Sequence, residues 1–171
     1  MLELIKVELE DVEKLQEICI QTFNESYFDK NSEANMVLFL NENFNLEKLK
    51  GELMNSNSIC FFARQAENIL GYLKLNWGNS QTEKQTVESI EIERIYVLKE
   101  FKGQKIGQKL FDKAIEIAKL KKVNYLWLGV WEENLDALRF YKKNGLVEFD
   151  KHIFQLGDDA QTDIMMKLVL K

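Results

Sequence analysis

One stretch constrains the fold more than any other: Glu91 to Leu110, reading E-I-E-R-I-Y-V-L-K-E-F-K-G-Q-K-I-G-Q-K-L. A β-branched run, Ile90 to Val97, passes through a short polar loop holding Gly103 and Gly107 into a segment with apolar residues at helical spacing. This reads as a strand, a turn and a helix start. A loop of this kind aims several backbone N–H groups at one point at the positive end of a helix, which makes an anion site. A phosphate is the expected ligand.

The 171 residues, 46% of them hydrophobic, suit one compact domain spanning the whole chain with room for a sizeable core. No apolar run approaches the roughly 20 residues of a membrane helix. The start, M-L-E-L-I-K-V-E-L-E, lacks the basic and apolar regions of a signal peptide, so a cytoplasmic protein without a membrane partner is expected. A net charge of -5 argues against nucleic acid, which needs a clustered basic face. It suits a cationic small substrate, although an acidic surface also serves plain solubility. Cys19 and Cys60 both lie in apolar surroundings and read as buried free thiols, and the single histidine, His152, argues against zinc. No metal is expected.

Along the chain, Leu2 to Val7 reads as a first strand. From Asp11, Val12, Leu15, Ile18, Cys19, Thr22 and Phe23 share one face of an amphipathic helix. N-E-S-Y-F-D-K-N-S-E, from Asn24 to Glu33, reads as a polar and aromatic loop at a substrate entrance or a solvated connection. Ser32 opens a second helix through Met36, Val37 and Leu40, and Asn45 caps a third through Leu46, Leu49 and Leu53. Ser58 to Arg64 and Ile69 to Trp77 form a hairpin around Q-A-E-N. After a polar stretch, Gly78 to Thr86, the run Val87 to Val97 makes a third antiparallel strand. Past the glycine loop, Ile106, Leu110, Ala114, Ile117 and Ala118 form the stripe of a helix. Asn124 to Val130 then reads as a buried strand parallel to the preceding one, completing a βαβ unit. A helix from Asn134 ends at Asn144-Gly145, and the chain returns through Leu146 to Lys151 and a last strand, Asp163 to Val169.

Two motifs in this order carry a family resemblance. Lys102-Gly103-Gln104-Lys105-Ile106-Gly107 resembles the acyl-CoA loop Q/R-x-x-G-x-G/A, with Lys105 where a glycine usually stands. Asn134 to Leu146 resembles N-x-x-A-x-x-F-Y-x-K-x-G-F, with Leu146 for the final Phe. Together they resemble the GCN5-related N-acetyltransferase (GNAT) superfamily over nearly the whole chain. The resemblance implies an α/β fold with a mixed sheet, an antiparallel meander plus a splayed parallel strand pair, and acetyl-CoA as co-substrate. It implies that Gly103 to Gln108, with Lys102 and Lys143, hold the cofactor, that its pantetheine arm pairs with Ile95, Tyr96 and Val97, and that Asn134 bonds the pantetheine amides. Tyr141 would protonate the leaving thiolate. Set against these roles are plainer ones, an N-cap for Asn134 and a core aromatic for Tyr141.

Transfer to an amine needs a base, because an amine is mostly protonated at neutral pH. Glu91 and Glu93 are the candidates, expected on one strand face with Ile95 and Val97 at period-2 spacing. The residues do not choose between them. The strings I-E-I-E-R-I-Y, W-L-G-V-W-E, F-Y-K-K-N-G and G-D-D-A-Q-T-D are similar to a polyamine-acetylating branch of the superfamily found in bacilli. That likeness implies a spermidine or spermine acceptor, attracted by Glu25, Asp29, Glu33, Glu91 and Glu93, with His152, Phe154, Gln155 and Gln161 shaping its site. Family members are often dimers, so a homodimer is expected. A regulatory module that binds acyl-CoA without turnover is the alternative.

Overall fold

The computed structural model describes residues 1–85 and 88–170. β1 (Leu2–Lys6), β2 (Ser58–Gln65), β3 (Asn68–Trp77) and β4 (Ser89–Val97) pair antiparallel in succession. β5 (Tyr125–Trp131) joins β4 in parallel, and the hairpin β6 (Val147–Leu156) with β7 (Asp159–Val169) closes the sheet through β7. The order β1-β2-β3-β4-β5-β7-β6 is the mixed sheet that the sequence implies. Val87 and Thr86 lie outside the described residues.

Helices cover both faces. On one, α4 (Ile106–Leu120) and α5 (Leu135–Lys143) bring Leu110, Ala114, Ala118 and Leu138 onto Leu73, Leu75, Ile90, Ile92, Leu126 and Leu128. On the other, α1 (Val12–Tyr27), α2 (Glu33–Asn43) and α3 (Leu46–Met54) bring Leu15, Ile18, Phe23, Met36 and Leu49 onto Cys60, Phe62 and Tyr72. Cys19 and Cys60 are buried free thiols in this second core, and burial pushes them up to about 11 and about 12.

Three expectations are corrected. The segment Asn24 to Glu33 is not an open loop: α1 runs on to Tyr27 and a 3-10 turn covers Phe28–Lys30, because Phe23, Tyr27 and Phe39 pack as one aromatic group that rewards further winding. The helix α2 that follows is anchored through Met36, with Val37 exposed. The closing strands are longer than their apolar cores, and polar residues from Lys151 to Thr162 complete the β6–β7 ladder.

The third correction concerns the faces of β4. Lys74 of β3 lies opposite Arg94 while Leu75 lies opposite Ile92, so Glu93 is an extra residue in a bulge. Regular alternation therefore stops there. Ile90, Ile92, Ile95 and Val97 face the α4 side, whereas Glu91 pairs with Asn76 and Arg94 with Lys74 on the other side, with Tyr72 and Tyr96. Glu91 and Glu93 do not share a face with Ile95 and Val97.

The bulge turns Glu93 into a buried ionic group. Arg94 holds both oxygens of Glu52 from α3, at 2.9 and 3.0 Å, and lies 3.4 Å from Glu93. Lys74, only 4% exposed, is 3.3 Å from Glu52 and pairs closely with Glu93, and Asn76 donates to Glu93 at 2.7 Å. Burial raises the Glu93 carboxyl, but the Arg94 and Lys74 charges and the bonds from Lys74 and Asn76 outweigh it and bring it to about 2.

A depressed carboxyl contributes stability above its unfolded value and loses it as pH falls through the folded one. Glu93→Gln is therefore expected to cost roughly 3 kcal/mol at pH 7, by stranding part of the Lys74 and Arg94 charge. Urea unfolding between pH 6 and pH 2 should show the wild type losing that advantage below pH 5. A constant gap across the range would contradict the assignment.

Candidate active site

β4 and β5 pair only from Ser89–Tyr125 to Ile92–Leu128. Beyond that point β4 stays with β3 to Val97, and β5 stays with β7 to Trp131. The two strands separate into a gap, and the edge of Glu93 to Val97 that faces β5 has no ladder partner there among the described residues. A strand edge of this kind takes up an extended ligand bearing amides.

The glycine loop stands at one end of this gap. Lys105 adopts a left-handed conformation (φ 63°, ψ 14°), the geometry a glycine would take, and its side chain does not cap α4. The first α4 bond of the ladder is Lys109 N–H to Lys105 O, at 3.1 Å. The N–H groups of Ile106, Gly107 and Gln108 come before it, at the positive end of a 15-residue helix. Lys102, Gly103, Gln104 and Lys105 are exposed around them, with Gly103 also left-handed (φ 83°). A Cβ on Gly107 would lie 3.9 Å from the Val97 side chain, so loop and strand edge adjoin. These features fit a diphosphate followed by an amide-bearing arm. The Gln108 side chain is engaged elsewhere: it donates to Asp112 at 2.9 Å and to Asn144 at 2.8 Å, tying α4 to the end of α5.

α5 supplies the next residues. Asn134 accepts from the Ala137 N–H at 3.2 Å, so its oxygen caps the helix while its amide nitrogen stays available. Lys143 is exposed on the last turn. Tyr141 is buried against Phe111 and Phe140 on the α4 side. Burial, then the neighbouring Tyr96, raises its hydroxyl far above the usual range and keeps the proton on it.

Two further tyrosines, packed on the α1 side of the sheet, act on Tyr141 electrostatically. Tyr96 from β4 and Tyr27 from the end of α1 are both raised, first by burial, and each feels the other and Asp163. Tyr27 lies tilted against Trp131, ring centres 5.8 Å apart, and stacks with Phe154 at 6.5 Å. Tyr27 and Asp163 were not singled out from the sequence. Their partners come from α1, β4, β5, β6 and β7, so no local spacing announces them.

The two candidate bases differ sharply. Glu93 is held by the ionic group described above. Glu91 is 3% exposed, accepts from Thr82 N–H at 2.8 Å and from Asn76 at 3.2 Å, and pairs closely with the Thr82 hydroxyl. Burial raises its carboxyl against these bonds. The other acidic residues are dispersed: Glu25 accepts from Lys99 N–H at 2.8 Å, while Asp29 lines a surface groove with Asn31, Asn35, Asp158 and Asp159.

A model of the Acetyltransferase (GNAT) family matches residues 13–146. The chain is 37% identical over 167 residues to the uncharacterized N-acetyltransferase in the pepI 3' region of Lactobacillus delbrueckii subsp. lactis, covering 98% of this chain and 96% of that one. It is 28% identical over 170 residues to a spermidine N(1)-acetyltransferase of Thermoplasma acidophilum, covering 97% and 96%. The crystal structure of the PaiA N-acetyltransferase from Thermoplasma acidophilum in complex with coenzyme A superposes with a TM-score of 0.82 at 25% identity, covering 99% of both chains. A family model matched over residues 13–146 and a relative 37% identical over 98% of the chain place it in the GNAT family, as an N-acetyltransferase that uses acetyl-CoA.

Proposed function

We propose that the protein, as one catalytic domain, acetylates a small polycationic amine of the spermidine type by direct attack of the amine on the thioester. The observation that carries this reading is the opposed chemistry of the two ends of the gap. Lysines and free N–H groups stand at the α4 end, whereas Glu91 lies at the closed end, in the paired stretch that stops at Ile92, and Tyr27, Tyr96 and Asp163 act on one another on the α1 side. The names of the two Thermoplasma acidophilum relatives support the choice of amine.

Each residue then has a role. The N–H groups from Gly103 to Gln108, with Lys102 and Lys105, hold the diphosphate of acetyl-CoA. The free edge at Ile95, Tyr96 and Val97 and the Asn134 amide hold the pantetheine arm, and the Val97 N–H meets the oxyanion of the tetrahedral intermediate. Tyr141 gives its proton to the thiolate, and its raised hydroxyl is in the protonated state that this step requires. Of the two glutamates, Glu93 is too acidic to be an effective base near neutral pH. Glu91 is the more basic, but Thr82 and Asn76 occupy its oxygens, so it acts as fixed negative charge behind the amine.

Following thiol release from acetyl-CoA tests this assignment. Spermidine and spermine should be better acceptors than a monoamine of similar length, with a KM that rises with salt as charge attraction is screened. Tyr141→Phe should lower kcat roughly a hundredfold with little change in the KM for acetyl-CoA. Absence of thiol release across a wide panel of amines would refute the reading.

A further inference from the structure

We propose that Asp163, His152 and Glu83 form the route by which the acceptor's ammonium proton leaves the cleft, with Asp163 facing the amine; this rests on the transfer reaction above. His152 of β6 and Asp163 of β7 are a cross-strand pair. The His152 Nε2 stands 3.3 Å from Asp163 Oδ2, and its Nδ1 stands 3.6 Å from Glu83 Oε1. Nδ1 is buried and has no hydrogen-bond partner among the described residues. Side-chain exposure climbs along the series, 15% for Asp163, 20% for His152 and 45% for Glu83, so it leads outward to water.

The inner end of the series lies at the gap. Asp163 is opposite Trp131, the last residue of β5, whose ring adjoins Tyr27, and the Asp163 charge is felt by Tyr27 and Tyr96. Gly129 follows directly on Leu128, where pairing between β4 and β5 ends. A Cβ at Gly129 would lie 3.0 Å from His152 Cε1 and 3.3 Å from Asp163 Oδ2. The imidazole thus occupies room that only a glycine leaves, in a strand otherwise made of large residues. Nothing in the ionic group around Glu93 needs this arrangement.

The step balances as follows. The ammonium gives one proton to an Asp163 carboxylate oxygen, which passes it to Nε2 of His152, and the imidazolium releases its Nδ1 proton to Glu83 and then to water. The freed amine lone pair forms the C–N bond, the C–S bond breaks, and the second proton lost by nitrogen reaches the thiolate through Tyr141. One proton is released per turnover. Asp163 is the catalytic residue of the series, and His152 and Glu83 are relay residues acting through it. Among the described residues the charged groups that act on His152 are acidic, Asp163 from β7, Glu83 from the segment before β4 and Glu91 from β4, and the bond with Asp163 is the first cause of its raised pKa. The relay takes up a proton only while His152 is neutral, so turnover should rise with pH through that raised value and level off above it.

Because His152 is the only histidine, its Cε1–H resonance is read without assignment. Titrating spermidine into the wild-type protein should move that resonance saturably, and Asp163→Asn should lower its midpoint. His152→Gln should lower kcat at least tenfold and abolish the rising limb of the pH profile, while the KM for acetyl-CoA stays within about threefold. Gly129→Ala, which displaces the ring without removing it, should shift the limb and lower kcat with the thermal midpoint little changed. A spermidine-insensitive resonance, or a His152→Gln profile parallel to the wild type, overturns the relay. Thiol release by the wild type with an unaltered variant profile overturns the relay alone, whereas no release with any amine overturns the transfer reaction together with it.

Discussion

The separation of β4 from β5 beyond Ile92 and Leu128 is the constraint on which the functional architecture depends. A parallel ladder that simply continued would satisfy its own backbone and leave no place for a ligand. Here each strand stays bonded to its outer neighbour, β4 to β3 and β5 to β7, so the gap opens without loosening either strand. Unpaired N–H and C=O groups facing a crevice are costly, at about 1–3 kcal/mol for each one buried without a partner. An arm carrying amides relieves that cost, which is why the gap selects an extended ligand rather than merely admitting one.

The bulge at Glu93 supports the gap from behind. An extra residue increases local twist, and twist carries the far half of β4 away from β5. It also turns Glu93 toward the same side as Arg94, where two cations meet two carboxylates from β3, β4 and α3. Such a group adds little net stability compared with a well-packed apolar one, but loss of any member strands the rest. Its effect is to fix the register of β3 on β4 and the seat of α3, and so the position of Tyr96 and Val97. One of the two carboxylates that the sequence offers as a base is thereby committed to holding the shape of the site.

Much of the fold was legible because it rests on local signals. The βαβ unit shows in a β-branched run, two glycines, a helical stripe and an apolar return, and Asn134 caps α5 as its position suggests. The bulge was not legible: period-2 counting assumes an uninterrupted ladder, and nothing in I-E-I-E-R-I-Y marks where one residue is added. The partners of Arg94 and Asp163 were also hidden, since Glu52 lies 42 residues from Arg94 and the surroundings of Asp163 come from four separate elements. Asn24 to Glu33 misled in the opposite sense, because its polar residues outnumber the aromatic ones that hold it in a helix.

Lys105 joins local strain to charge. A non-glycine residue in the left-handed region costs on the order of 1–2 kcal/mol, and a glycine at this position would avoid the strain. The lysine sits instead at the uncapped start of α4, exposed, where its charge adds to the helix dipole and to Lys102 and Lys109. Strain held in the backbone keeps the turn that presents the Ile106 and Gly107 N–H groups, and the same residue supplies a cation that glycine cannot. The chain therefore keeps the geometry of a glycine loop while placing more positive charge at the start of α4.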